Sequence, residues 1–84
     1  MAENQVLVRY FAAAADIIGR DEETITFIDS PSLGDLHEQL LRQYGQGIAQ
    51  LLSASACLVR GELTRDLTYP ISGKVDVLPP FAGG

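Results

Sequence analysis

The chain has 84 residues, of which 46% are hydrophobic and 20% charged, and it carries a formal net charge of −5 at pH 7. This composition is that of a globular domain and excludes intrinsic disorder, while the acidic balance argues against nucleic acid or an anionic membrane as a partner. Its single cysteine, Cys57, excludes an internal disulfide, and the absence of a signal peptide or a membrane-length apolar run leads us to expect a cytoplasmic protein.

Two strands and a short helix are predicted at the beginning of the chain. Residues 6–11 are rich in β-branched and aromatic side chains, which predicts a strand. One face of it carries Val6, Val8 and Tyr10, and the other carries Leu7, Arg9 and Phe11. Residues 12–18 favour a short helix that Gly19 can end in a left-handed conformation. Residues 23–28 alternate polar and apolar side chains, so we expect a second strand that pairs with the first and points Ile25 and Phe27 inward.

The next segment predicts the main helix of the domain. Ser32 can cap its first turn, with Asp35 three residues later in a weaker form of the capping box, and Gly45 ends it. An apolar stripe recurs at helical spacing through Leu33, Leu36, Leu40, Leu41 and Tyr44. This stripe should pack against the sheet. Residues 46–53 predict a further short helical turn.

The last third of the chain predicts the remaining strands. Residues 56–59 form a buried strand, Gly61 marks a turn, and residues 63–69 are irregular or a short strand. Residues 74–78 form the final strand, which Pro79 and Pro80 must end because neither can donate a ladder hydrogen bond. This order of elements predicts one α+β domain over residues 1–84, with a mixed sheet of four to five strands packed on one main helix.

Few side chains are suited to catalysis. His37, Cys57 and Lys74 are each the only residue of their type, and the glycines form no phosphate-binding loop. We therefore expect a partly buried or surface histidine, a buried cysteine, and no cofactor or metal bound by this chain. Seven of the eleven acidic residues lie between Asp16 and Glu38, which is typical of a solvated face but leaves open a docking face for a basic partner.

The end of the sequence carries the strongest functional signal. Pro79 and Pro80 stiffen the exit from the final strand, and the flexible tail 81–84 can extend roughly 13–14 Å. Gly83 and Gly84 lack a Cβ and can enter a channel that is too narrow for other residues. A carboxylate on Gly84 could be joined to AMP and then attacked by a sulfur nucleophile, which would leave a thiocarboxylate. The alternative is a frayed glycine-rich end.

In these features the chain resembles the MoaD/ThiS family of sulfur carriers. The resemblance covers nearly the whole chain and is strongest over residues 6–19, which include Phe11-Ala12 and Ile17-Ile18-Gly19, and over residues 75–84, which end in Pro-Pro-Phe-Ala-Gly-Gly. It implies a ubiquitin-like β-grasp fold and adenylation of Gly84 by an ATP-dependent activating enzyme. It also implies a thiocarboxylate at Gly84 whose sulfur passes to a cyclic pterin precursor, in a complex with the large subunit of molybdopterin synthase.

The resemblance also assigns roles to individual positions. Gly84 would carry the chemistry, while Phe81, Ala82 and Gly83 would thread into the partner. A hydrophobic docking patch is implied at Phe11, Leu63 and Leu78. The chain would not be an enzyme on its own but the sulfur-donating small subunit of a transferase complex, and ATP would be used by the activating partner.

Several other functions stay open at this point. The Pro-Pro pair favours the molybdopterin branch over thiamine synthesis, and carriers for cysteine synthesis share a similar tail. The same activation of Gly84 could instead join the chain to lysines of target proteins, as in a ubiquitin-like modifier. A plain binding module would need no tail at all. Arg60 stands where a small polar residue is common in the family.

Overall fold

The computed structural model describes residues 4–80. Within this span the strands are β1 (Asn4–Tyr10), β2 (Glu22–Phe27), β3 (Ala56–Val59), β4 (Glu62–Thr64) and β5 (Gly73–Leu78). The α-helices are α1 (Ala13–Ile18), α2 (Leu33–Tyr44) and α3 (Ala49–Ala54), the last preceded by a 3-10 turn over Gln46–Ile48. None of these helices is long and apolar enough to cross a membrane.

The five strands form one mixed sheet in the order β2-β1-β5-β3-β4. Strand β1 is antiparallel to β2 and parallel to β5, and β5 is in turn antiparallel to β3. The chain therefore places its first and last strands side by side at the centre of the sheet. The predicted α+β architecture, with a mixed sheet and one main helix, is confirmed.

The core lies between one face of the sheet and the helices. Alternation along the central strands turns Val6, Val8 and Val77 fully inward, each with 0% exposure. The apolar stripe of α2 covers them, with Leu36 and Leu40 equally inaccessible. Other core members are Tyr10, Ala14, Ile18, Ile25, Leu33, Ile48, Leu52, Cys57, Val59, Ile71 and Val75. The inward face predicted for both strands and for the helix stripe is confirmed.

The main helix begins where the sequence predicts. Ser32 caps α2 by accepting a hydrogen bond from the Asp35 backbone N–H, and the Asp35 carboxylate accepts one from the Ser32 N–H. The Leu33 and Gly34 N–H groups donate to carbonyls of the loop before β5, at 2.8 Å each. The free donors of the first helical turn are thus satisfied by one side chain and one distant loop.

Several boundaries differ from the predicted ones, and β1 spans residues 4–10 instead of 6–11. Helix α1 begins one residue late because Ala12 has a φ of 50°, outside the helical region. Strand β2 ends before Ile28, whose side chain is 76% exposed. Strand β4 stops at Thr64, because the Asp66 carboxylate then accepts hydrogen bonds from the backbone and side chain of Thr68 and closes a turn.

Candidate functional site

The outer face of the sheet, on the side away from the helices, collects the outward residues of every strand. Register places Arg9 of β1 beside Asp76 of β5, Asp76 beside Leu58 of β3, and Leu58 beside Leu63 of β4. Directly opposite residues share a face of the sheet. This row therefore runs from a charged pair at the centre to apolar side chains at the β4 edge.

The charged pair at the centre of this face is bidentate. The Arg9 guanidinium donates from Nε to one carboxylate oxygen of Asp76 at 2.8 Å and from Nη2 to the other at 2.9 Å. The hydrogen bond from Arg9 lowers the pKa of Asp76, against the opposing effect of burial. Asp76 is only 6% exposed because Arg9 covers it. The charges of the two side chains therefore cancel each other.

Two of the three predicted docking residues lie at the same end of the sheet. Tyr10 and Val77 are the last pair of the parallel β1–β5 register, and Phe11 and Leu78 are the residues that follow them. The Phe11 ring is 39% exposed, and its centroid lies 5.4 Å from the Arg9 guanidinium carbon, which places it on the outer face. Leu78 is half-buried because β5 is the central strand, flanked on both sides.

Leu63, the third predicted docking residue, lies nearer the edge of the same face. Its side chain is 65% exposed on β4, opposite Leu58 of β3. Phe11, Leu63 and Leu78 thus share the outer face without forming one tight cluster. Their role in binding stays a prediction.

The predicted tail begins at the Phe11 end of the sheet. Strand β5 ends at Leu78, immediately before Pro79 and Pro80, as predicted. Phe81, Ala82, Gly83 and Gly84 lie outside the residues that the structure describes. The described part of the chain shows only that the segment leading to them leaves the sheet next to Phe11.

A cleft of about 470 Å³ opens at the other end of the outer face. It is lined by Arg9, Leu58, Arg60, Gly61, Ser72, Gly73, Lys74 and Asp76. Arg60 donates hydrogen bonds to the Ser72 hydroxyl at 2.8 Å and to the Pro70 carbonyl at 3.2 Å. These bonds tie the β3–β4 turn to the loop that leads into β5.

Arg60 also adopts an uncommon backbone conformation. Its φ of 49° is followed by a φ of 82° at Gly61, so both central residues of the β3–β4 turn are left-handed. Such a two-residue hairpin turn favours asparagine or glycine at its first position. This explains why a small polar residue is common there in the family that the sequence resembles, and the hydrogen bonds of Arg60 offset part of the strain.

Neither His37 nor Cys57 contributes to the outer face. Cys57 is fully buried in the core, as predicted, and burial raises the pKa of its thiol to about 11. His37 is half-buried on α2, where desolvation lowers the pKa of its imidazole. Within residues 4–80 no three His, Cys, Asp or Glu side chains are grouped so that they could hold a metal ion.

Strand β2 and helix α2 carry four acidic residues, Glu22, Glu23, Asp35 and Glu38, and one basic residue, Arg42. Asp35, Glu38 and Arg42 line a hollow of about 320 Å³. Glu23 is different, because its side chain is only 8% exposed. This side of the domain is therefore predominantly acidic.

These observations define a small mixed-sheet domain whose outer face carries a bidentate ion pair, exposed apolar side chains and a cleft. Several solved structures share this fold. SAMP1, the small archaeal modifier protein 1 of Haloferax volcanii, superimposes with a TM-score of 0.80 at 18% identity, over 96% of this chain and 100% of that one.

Two further structural neighbours are molybdopterin converting factor subunits. A protein assigned as subunit 1 from Pyrococcus furiosus has a TM-score of 0.75 at 23% identity and covers 92% of this chain and 98% of its own. A complex of subunits 1 and 2 of molybdopterin-converting factor from Helicobacter pylori contains a chain that superimposes with a TM-score of 0.62 at 24% identity. The match covers 95% of this chain and 99% of that one.

These neighbours are of the MoaD/ThiS type that the sequence resembles, and they confirm the ubiquitin-like β-grasp fold. No protein-family model and no curated protein matches the sequence. At identities below 25% the likeness establishes the fold of this chain and leaves its activity to be proposed.

The sequence interpretation missed two features of this face. It placed Arg9 on the face of β1 opposite to Val8 but did not pair Arg9 with Asp76, since the two residues are 67 positions apart. It also did not bring Arg60 and Lys74 into one cleft. The sequence shows only that Arg60 directly follows β3 and that Lys74 lies at the start of β5. The local sequence does not show that these two strands are neighbours in the sheet.

Proposed function

We propose that this chain is a sulfur carrier of molybdopterin biosynthesis, the small subunit of molybdopterin synthase, which works through the carboxylate of Gly84. One observation supports this most. Phe11 and Leu78 directly follow Tyr10 and Val77, the last pair of the β1–β5 register, at the end of the sheet from which Pro79 and Pro80 lead to the tail. A partner bound to these side chains would receive the tail directly.

The proposed chemistry belongs to Gly84, with the folded domain as its handle. The carboxylate attacks the α-phosphorus of ATP on the activating enzyme, pyrophosphate leaves, and an acyl-adenylate forms. Hydrosulfide supplied by a sulfur donor then attacks the acyl carbon and displaces AMP, which leaves a thiocarboxylate. On the large subunit this sulfur passes to the pterin precursor, and the acyl carbon takes up an oxygen from water and returns to a carboxylate. The chain itself supplies the docking face and a tail slender enough to reach another protein's active site.

The partners follow from this proposal. The Helicobacter pylori structure joins subunits 1 and 2 of molybdopterin-converting factor, which supports a large-subunit partner. The ATP-dependent activating enzyme is proposed from the chemistry, since a carboxylate must be activated before sulfur can replace its oxygen. This work would take place in the cytoplasm.

The decisive measurement is the intact mass of the chain after incubation with the activating enzyme, ATP and a sulfur donor. We expect one oxygen to be replaced by sulfur at Gly84. Deleting Gly84 shortens the tail by about 3.5 Å, and adding a residue after it removes the reactive carboxylate, so both variants should dock but acquire no sulfur.

Two controls sharpen this test. A Gly47→Ala variant changes a glycine of the 3-10 turn, where an added Cβ meets nothing within 4 Å, and it should acquire sulfur like the wild type. Sulfur transfer onto the truncated or extended chain, or conversion of the pterin precursor by it, would show that the tail is not the working part.

A second function is a ubiquitin-like modifier joined through Gly84 to lysines of other proteins. The name of the Haloferax volcanii neighbour, a small archaeal modifier protein, favours it. Both functions share the adenylation step and differ in the acceptor. Isopeptide-linked adducts in cell lysate, together with the absence of a pterin product from the reconstituted synthase, would reject the sulfur-carrier function and support the modifier function.

A further inference from the structure

The cleft on the outer face concentrates positive charge in an acidic protein. The whole chain has six basic residues and a net charge of −5. Three of the six, Arg9, Arg60 and Lys74, line this one cleft, against a single acid, Asp76. The lining therefore carries a formal charge of +2, from three cations minus one anion.

The excess charge comes from two of the three cations. Arg9 is neutralised by its bidentate bond to Asp76. Arg60 uses its guanidinium for neutral partners, the Ser72 hydroxyl and the Pro70 carbonyl. Lys74 is exposed and forms no hydrogen bond or ion pair with any residue between 4 and 80. Neither Arg60 nor Lys74 therefore forms an ion pair among residues 4–80, and the one nearby carboxylate, Asp76, is already held by Arg9.

Apolar surface adjoins these charges directly. Leu58 lines the cleft, and on its far side it lies opposite the exposed Leu63. A protein that covers Leu58 and Leu63 would remove water from the mouth of the cleft. A cation in such a place is costly to cover unless the incoming surface brings an anion to it.

We propose that the cleft receives a carboxylate side chain, Asp or Glu, of the protein that docks on the outer face. This inference rests on the proposed function, which supplies the docking event, and it adds the chemistry of the partner's surface. The cleft holds half of the chain's basic residues, so it can attract a carboxylate although the chain as a whole is acidic. The contact would fix the orientation of the partner, with the tail at the opposite end of the sheet.

Zero-length crosslinking tests this contact directly. A carbodiimide activates the carboxylates of the bound large subunit or activating enzyme, and an amine within contact distance then forms an amide with loss of water. Lys74 is the only lysine, so peptide mapping reports an unambiguous site. We expect an amide between Lys74 and an Asp or Glu of the partner.

Charge variants supply an independent readout. Lys74→Glu should weaken binding to the crosslinked partner by about tenfold or more and reduce its dependence on salt, while Lys74→Arg should bind normally. Arg42→Glu is the matched control, because it makes the same charge change at an exposed side chain of α2, on the other side of the sheet. Its affinity should stay within about threefold of the wild type.

The outcomes separate this inference from the proposed function. One result would overturn the carboxylate contact alone: Leu63→Asp weakens binding, Lys74→Glu does not, and no crosslink forms at Lys74. The proposed carrier function would then still stand. Equal losses for Lys74→Glu and Arg42→Glu also overturn it, since they indicate net charge alone. A wild-type chain that binds neither partner overturns both proposals.

Discussion

Glu23 is the most heavily hydrogen-bonded side chain among the described residues. One of its carboxylate oxygens accepts from the Tyr10 hydroxyl at 2.5 Å and from the Tyr44 hydroxyl at 2.6 Å. The other accepts from the Gln43 amide at 2.7 Å, and the Arg20 guanidinium lies 3.6 Å away. Burial alone raises the pKa of Glu23, but these donors outweigh it and lower the pKa. The cluster joins β1 and β2 to the end of α2.

At the residue scale we predict that Glu23 makes stability depend on pH. Because the folded-state pKa is lowered from its ordinary 4.5, its contribution is fully present above that value and is lost as pH falls through the folded pKa. Glu23→Gln should cost about 1–3 kcal/mol at pH 7, because one oxygen that accepts hydrogen bonds becomes a donor. Urea unfolding at several pH values should show that the difference in free energy of unfolding between wild type and Glu23→Gln becomes smaller below pH 4.5.

The matched control is Glu38→Gln on α2. The Glu38 side chain is 68% exposed and pairs only with the exposed Arg42, so its removal should change stability by a few tenths of a kcal/mol at most. A gap between wild type and Glu23→Gln that stays constant down to pH 3 would show that the carboxylate charge does not contribute.

At the scale of elements, the N-terminus of α2 joins the helix to the rest of the fold. Besides the capping box, the Gly34 N–H donates to the Leu67 carbonyl. This approach is close enough that an added Cβ on Gly34 would lie 3.1 Å from the same oxygen. The loop before β5 is therefore held by the helix as well as by Arg60, and both anchors support the strand that leads to the tail.

We predict that Ser32→Ala lowers the free energy of unfolding by about 1 kcal/mol, because the Asp35 N–H loses its acceptor. Ser53→Ala is the control, since the exposed Ser53 hydroxyl makes only a 3.4 Å bond to the Gln50 carbonyl of its own helix. Urea midpoints measured side by side should separate the two variants. Equal midpoints would mean that the loop carbonyls hold the helix start without the cap.

At the scale of the whole molecule, the outer face is assembled from four strands. Arg9 and Asp76 form its neutral centre, Leu58 and Leu63 its apolar edge, and Phe11 the end nearest the tail. Exposed apolar patches rimmed by polar residues are typical of protein–protein interaction sites. The arrangement of this face is therefore consistent with a surface that a partner protein covers.

We predict that Phe11→Asp and Leu63→Asp each weaken binding to the large subunit and to the activating enzyme by about 2 kcal/mol, or about thirtyfold in Kd. Folding should be preserved, because both side chains are exposed. Leu78 is half-buried, so it is a poorer probe. Ile28→Asp is the control, as Ile28 is 76% exposed but lies beyond the end of β2. Unchanged Kd values for both partners would show that these side chains do not form a docking patch.

Much of this fold could be predicted because its signals are local. Alternation in residues 6–11 assigned the inward face of β1, the Ser32 and Asp35 spacing marked the start of α2, and Pro79 marked the end of β5. Each depends on interactions within a few positions of the chain. The same locality made Phe11 recognisable as an apolar residue on the face opposite to Val8 and Tyr10.

Only the tertiary structure determines the features that depend on which strands are neighbours in the sheet. The parallel pairing of β1 with β5 brings Arg9 to Asp76 across 67 positions and buries a carboxylate that alternation alone would leave in water. The same topology gathers Arg60 and Lys74 into one basic cleft. Pairing partners are chosen by burial of the whole core, a property of the assembled sheet that no single segment encodes.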